Sequence, residues 1–194
     1  MKKIVLICIL WILVMSVQVT AQARPIMGYD LVTWGTSSAK VREAYNIPAS
    51  VPLVVEKTDS NVKSLTQNNV SDSIKERLFL FNNDRLYRVW VSYKDINDSN
   101  HNNLKSALTN RFGIETDFDA SSESQILNNI PVIQDYKKTT YGRYSPELVV
   151  ELIYIIYFFN FQKDFMNLNG NNSLAVCYTW KKFRDEYQAS RLGL

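Results

Sequence analysis

Histidine and cysteine are nearly missing from this chain: His101 is the only histidine, and Cys8 and Cys177 are the only cysteines. A histidine-based metal site needs partners at ligand spacing, and His101 has no second His or Cys near it, so no metal ligand is assigned and no zinc chemistry is expected. Cys8 lies inside an apolar run, which leaves Cys177 alone in the remainder of the chain. A lone cysteine closes no internal disulfide, so stability must come from the hydrophobic core. Phosphate-cradling glycine loops and the G-x-S-x-G nucleophile turn are also missing, and no cofactor is expected. Strong charge of one sign is lacking too. The net charge is +3, and without Lys2 and Lys3 it falls to +1. A near-neutral chain lacks the basic footprint of a protein that binds phosphates along nucleic acid, so no nucleic-acid partner is expected.

What is present begins with the first 23 residues. Met1-Lys2-Lys3 is positive, Ile4 to Met15 is unbroken apolar sequence, and Ala21-Gln22-Ala23 places small residues before Arg24. Positive start, apolar middle and A-x-A end form a secretion-signal pattern. A membrane span needs roughly 18 or more apolar residues, and polar residues arrive here too early. The expectation is a signal peptide over 1–23 and one exported domain over 24–194, periplasmic or extracellular, with no transmembrane segment after signal removal. The rival reading is an envelope protein anchored by a retained N-terminal helix. About 170 residues remain after the cut, enough for one self-sufficient core. Asparagine is abundant, with 18 residues, so the N-x-S sequons at Asn69, Asn97 and Asn171 read as coincidence.

Along the exported part, residues 26–34 read as a short extended entry. Thr36-Ser37-Ser38 offers hydroxyls to cap a helix over Ser38 to Tyr45, with Val41, Ala44 and Tyr45 on one face. Val51 to Lys57 reads as a strand, and residues 58–73 as a polar loop. Glu76 to Phe81 and Leu86 to Tyr93 alternate around Asn82-Asn83-Asp84-Arg85, which predicts a hairpin, because Asn and Asp tolerate the positive φ of tight turns. Residues 96–103 read as a loop, and Leu104 to Phe112 as a helix closed by Gly113. Ser121 to Asn129 suggests a short helical turn. Leu148 to Phe161 favours a strand buried on both faces, although Ser145-Pro146-Glu147 also resembles a helix start. Residues 167–172 form a turn, Ser173 to Thr179 is the strand that pairs with that run, and Trp180, Phe183 and Tyr187 line a C-terminal helix. The fold class expected is α+β: an antiparallel sheet with two or three helices packed on one face, arranged as two successive helix-plus-hairpin units.

The string from Trp34 to Pro48 (WGTSSAKVREAYNIP), then Phe79 to Tyr93 (FLFNNDRLYRVWVSY) and the helix ending Phe112-Gly113 carry a resemblance. They resemble small exported bacterial proteins with a helix opening WG-x-S followed by a hairpin. More distantly they resemble outer-membrane assembly lipoproteins and β-lactamase-inhibitor-like modules. The latter pair a helix layer with an antiparallel sheet and act by binding proteins, and the resemblance implies the same here. The chain lacks their lipobox cysteine.

Chemistry is sparse. His101 in its polar stretch reads as a solvated side chain, and Cys177 as a core thiol; paired, the two would form a nucleophile and its base. Asp117 and Asp119 are the densest acidic group, but lack the glycine turn and distal Glu of a Ca²⁺ loop. No spacing indicates the facing carboxylates of a glycosidase. Aromatics remain: Trp34, Tyr87, Trp90 and Tyr93 gather around the first helix and hairpin, and Tyr136, Tyr141 and Tyr144 follow in a loop. Tryptophan and arginine anchor protein interfaces. Strand alternation puts Arg88 and Trp90 on one face and Tyr87, Val89, Val91 and Tyr93 on the other. Trp90, Arg88 and Trp34 are therefore the candidate binding residues. The function expected is an exported, non-catalytic module that binds a protein or cell-envelope component; the alternative is a secreted hydrolase with an unidentified active site.

Overall fold

The hairpin marked by alternation supplies two inner strands of the main sheet. In the computed structural model, the described residues are 28–57, 59–127, 130–142, 148–159 and 172–183. The signal-like segment, Tyr144, Ser145-Pro146-Glu147, residues 167–171 and Tyr187 lie outside them. Strand β5 (Ile74–Asn82) turns into β6 (Arg85–Tyr93) through Asn83 and Asp84, at φ 47° and 57°. Two consecutive positive φ values are what a two-residue hairpin turn requires.

Among the described residues, ten strands and two complete helices follow in chain order, and residues 181–183 are helical. Besides β5 and β6 these are β1 (Gly28–Tyr29), β2 (Val32–Thr33), α1 (Ser38–Ala44), β3 (Val54–Val55), β4 (Val62–Asn68), α2 (Asp98–Phe112), β7 (Asp117–Leu127), β8 (Ile130–Tyr141), β9 (Leu148–Phe159) and β10 (Ser173–Trp180). One antiparallel sheet of eight strands runs β3-β4-β5-β6-β10-β9-β8-β7, and β1-β2 form a separate ribbon. The chain thus lays down a helix and a four-stranded meander twice, and the meanders join through their last strands, β6 and β10.

This overturns the α+β expectation: the protein is mostly antiparallel sheet, and its helices are short. The units are larger than a helix plus a hairpin because two polar stretches are strands. Residues 62–68, read as loop, pair with β5, and Leu65 beside Phe79 is fully buried. Residues 121–127, read as a helical turn, belong to β7, whose side chains through Ser124 are exposed. An edge strand facing water on both sides carries no alternation to read. Conversely, Val51 to Lys57 contains only the two-residue β3. Leu148 to Phe159 is a strand, paired with β10 as Ser173↔Ile155 through Trp180↔Leu148. Tyr136 and Tyr141 belong to β8 rather than a loop.

The polar stretch 96–103 is mostly helix. Asn97 is the N-cap of α2, its side chain accepting a hydrogen bond from Asn100 N at 2.9 Å, which ties down one of the free N–H groups of the first turn. Gly113, at φ 84°, closes the other end. The hydroxyl cap expected for α1 is not used: Ser37 makes no side-chain cap bond. Asp84 of the hairpin turn accepts from Ser38 N at 3.0 Å instead, so the turn and the helix start are one device. Gly28 has a packing role, since a Cβ there would lie 2.0 Å from Val32 O.

Register assigns the faces, because residues directly opposite each other share a side. Phe79↔Val89, Tyr178↔Val89 and Tyr178↔Val150 define the first face, and it holds the main core: Leu65, Phe79, Phe81, Val89, Leu152 and Val176 are all buried. Both helices lie on it, with Tyr45 against Phe79 and Phe112 against Tyr178.

Candidate binding face

The second face of the sheet is built from the alternate residues of the same strands. One row across it reads Leu80, Arg88, Thr179, Val149, and the next reads Leu78, Trp90, Cys177, Glu151, Thr140. Ala175, Cys177 and Thr179 of β10 are buried along its floor, while Leu78, Leu80, Arg88 and Trp90 are half-buried around them. Neither α1 nor α2 packs there.

The structure therefore brings Trp90 and Arg88 together as neighbours on one strand face. Arg88 Nε donates to Thr179 Oγ1 at 3.0 Å, and Cys177 Sγ lies 3.6 Å from the same oxygen. The Arg88 guanidinium also stands 5.9 Å from the centre of the Tyr87 ring. Trp34 is not part of this group. It is buried among the core residues of the first face, with its Nε1 unpartnered.

Tyr87 departs from simple alternation. Leu80 pairs with Arg88 and Phe81 with Leu86, so Tyr87 is the extra residue of a β-bulge. Leu86 consequently joins Val89 and Val91 in the core, where it is fully buried, and the Tyr87 ring stacks on Phe183 at 4.6 Å. Leu78 and Leu80 were not singled out from the sequence. The signal was present in Leu78-Phe79-Leu80-Phe81, whose unbroken apolar character marks a strand with apolar groups on both faces.

The remaining chemical candidates are separated. His101 is buried on α2 rather than solvated, its ring stacked on Tyr154 at 4.8 Å. Burial pushes its pKa below the ordinary value, and the Lys137 and Lys105 charges add to that, against Asn102 and Asp98. Tyr154 is opposite Leu174 on the first face, whereas Cys177 lies on the second, so the sheet stands between thiol and imidazole. Burial, partly offset by Arg88, pushes the Cys177 thiol up to about 11. A thiol held protonated is a poor nucleophile at neutral pH. Asp119 lies on β7, 3.9 Å from Lys138, and Glu115 is 2.9 Å from Lys105. Among the described residues no three His, Cys, Asp or Glu side chains gather as a metal site, and no helix is long and apolar enough to cross a membrane. Comparison with protein families, curated proteins and solved structures finds no match.

Proposed function

We propose that this chain is an exported, non-catalytic module that binds a protein or cell-envelope component, and that Trp90 and Arg88 on the second sheet face make the contact. The observation that carries this reading is the unequal covering of one sheet. Two helices pack on the first face, and neither reaches the half-buried Leu78, Leu80, Trp90 and Arg88 on the second. Tryptophan and arginine flanked by aliphatic side chains have the composition of an interface anchor. Arg88 is steadied by Thr179 and meets no carboxylate among the described residues, which suits it to an acidic partner group.

The test uses an affinity-tagged full chain and an extract of the exporting cell's envelope. Wild type should retain a defined partner, and the Trp90→Ala/Arg88→Ala variant should lose it while its thermal midpoint moves only slightly. Retention of the same partner by the double variant would overturn the reading. So would a collapse of the midpoint, which would place both side chains in the core.

A further inference from the structure

On the helix-covered side, away from Trp90, a cleft of about 260 Å³ opens between the β1–β2 ribbon, β5, β10 and the end of α2. Its walls are Tyr29, Asp30, Arg77, Arg111, Phe112 and Tyr178. Arg77 is the anomaly. It stands opposite Val91, so it projects from the first face of the sheet, where its neighbours along β5 are the core residues Phe79 and Phe81. Its Nε is buried without a hydrogen-bond partner, and Nη1 reaches Gln67 Oε1 only at 3.5 Å. The guanidinium lies 5.2 Å from the centre of the Tyr45 ring and 6.0 Å from that of Tyr29.

The ion pairs among the described residues are Lys105–Glu115 and Lys138–Asp119, so neither Arg77 nor Arg111 meets a described carboxylate within 4.0 Å. Two guanidiniums against the single carboxylate of Asp30 leave the cleft one charge positive. A guanidinium whose Nε–H is buried without an acceptor, held otherwise by the neutral Gln67 and the tyrosine rings, is costly. An incoming oxyanion would supply the missing acceptor, and a guanidinium fork matches a carboxylate or phosphate through two parallel N–H···O bonds. The walls also have an aromatic character. Tyr29 and Tyr178 have ring centres 4.9 Å apart, and Phe112 lies 6.4 Å from Tyr178. Burial pushes the Tyr29 pKa up; the Arg77 charge and its hydrogen bond to the hydroxyl oppose that, Asp30 adds to it, and Arg111 opposes it more weakly.

We propose that this cleft binds a small aromatic oxyanion, a single ring bearing a carboxylate or phosphate, with Arg77 and Arg111 on the anion and Tyr29, Tyr178 and Phe112 on the ring. The volume sets the size, since pockets for drug-sized ligands begin near roughly 300 Å³. The site is independent of the contact face on the other side of the sheet, and either assignment can fail alone.

Isothermal titration of the full chain with benzoate, phenyl phosphate and neutral benzamide tests it. One of the two anions should bind saturably with a Kd of about 1 mM or tighter, and whichever is stronger identifies the anionic group. Benzamide should bind at least about 10-fold more weakly, a difference of about 1.4 kcal/mol. Arg111 is exposed on the last turn of α2, so Arg111→Gln should weaken anion binding to a similar degree with the thermal midpoint unchanged. Arg77→Lys keeps the charge and removes the fork, and should weaken binding as well. If Arg77→Lys fails to fold, Arg111→Gln decides the matter. Absence of saturable binding by both anions, equal binding of benzamide, or undiminished binding by Arg111→Gln would each overturn the proposal.

Discussion

The two faces of the eight-stranded sheet share their backbone and differ in almost everything else. On the first face, Phe79, Phe81, Val89 and Leu152 are fully buried beneath the helices. On the second, the same strands offer Glu76 and Ser92, joined by a 3.2 Å hydrogen bond, and Arg88 and Thr179, joined at 3.0 Å. A one-residue slip in any strand would exchange these sets. The first face holds most of the large buried side chains that fix register, while the second buries smaller ones, Ala175, Cys177 and Thr179, along β10. The sharpest way to break the comparison is to place the same charge on each side. Val89→Asp buries an unpaired carboxylate in the core between Phe79 and Tyr178 and should cost about 4 kcal/mol or more, reading as loss of the cooperative unfolding transition. Thr66→Asp, opposite Leu78 on the second face, should cost below about 1 kcal/mol in denaturant unfolding.

A second comparison lies within the first face, between contacts made by packing and the one made by a turn. Asp84 serves both the hairpin and the start of α1, through its φ of 57° and its bond to Ser38 N. Asp84→Gly keeps the turn and removes the cap, and should lose about 1 kcal/mol. Asp84→Ala adds a left-handed residue with a Cβ, and should lose about 1–2 kcal/mol beyond that. Asp84→Asn keeps both features and should unfold close to wild type. Equal losses for glycine and alanine would show that the cap, not the turn, sets the cost.

These residues also mark how much was legible beforehand. The β5–β6 hairpin was readable because its apolar groups alternate and Asn and Asp occupy the turn. Strand β9 was readable because its β-branched and aromatic run is too apolar to be anything but buried. Strand β7 was not, since an edge strand can be polar on both sides and is held by backbone pairing that leaves no periodic mark. Neither was β4, whose buried Val62 and Leu65 lie three residues apart and so break the two-residue alternation. The bulge at Tyr87 was hidden for another reason: Leu86 and Tyr87 are both large and apolar, and only the pairing of Phe81 with Leu86 decides which one enters the core. For the candidate face, strand parity alone placed Trp90 beside Arg88. Trp34, chosen for its residue type, belongs to the core. Nothing local in the sequence announced Arg77, because its setting is made by β1, α2 and β10, all distant along the chain.

The smallest expected effect concerns His101, the one imidazole of the first face. Its neighbours are Tyr154, Lys105, Lys137, Asn102 and Asp98. With its folded pKa below the ordinary 6.5, the unfolded chain takes up the proton more readily. Stability from this group is therefore present above that pH and declines as pH falls through it. His101→Phe keeps the stacking and should flatten the part of the stability–pH curve that falls away below the ordinary imidazole pKa. A curve unchanged by the substitution would mean that His101 is as free to protonate in the folded state as in the unfolded one.

The division of labour between the faces is tested most directly by one pair of unfolding free energies. Phe79→Ala empties a fully buried site and should cost about 3–5 kcal/mol in denaturant titration. Trp90→Ala removes a larger side chain from a half-buried one, and should cost below about 2 kcal/mol. A Trp90 variant that loses as much stability as the Phe79 variant would contradict the account, because the second face would then be core.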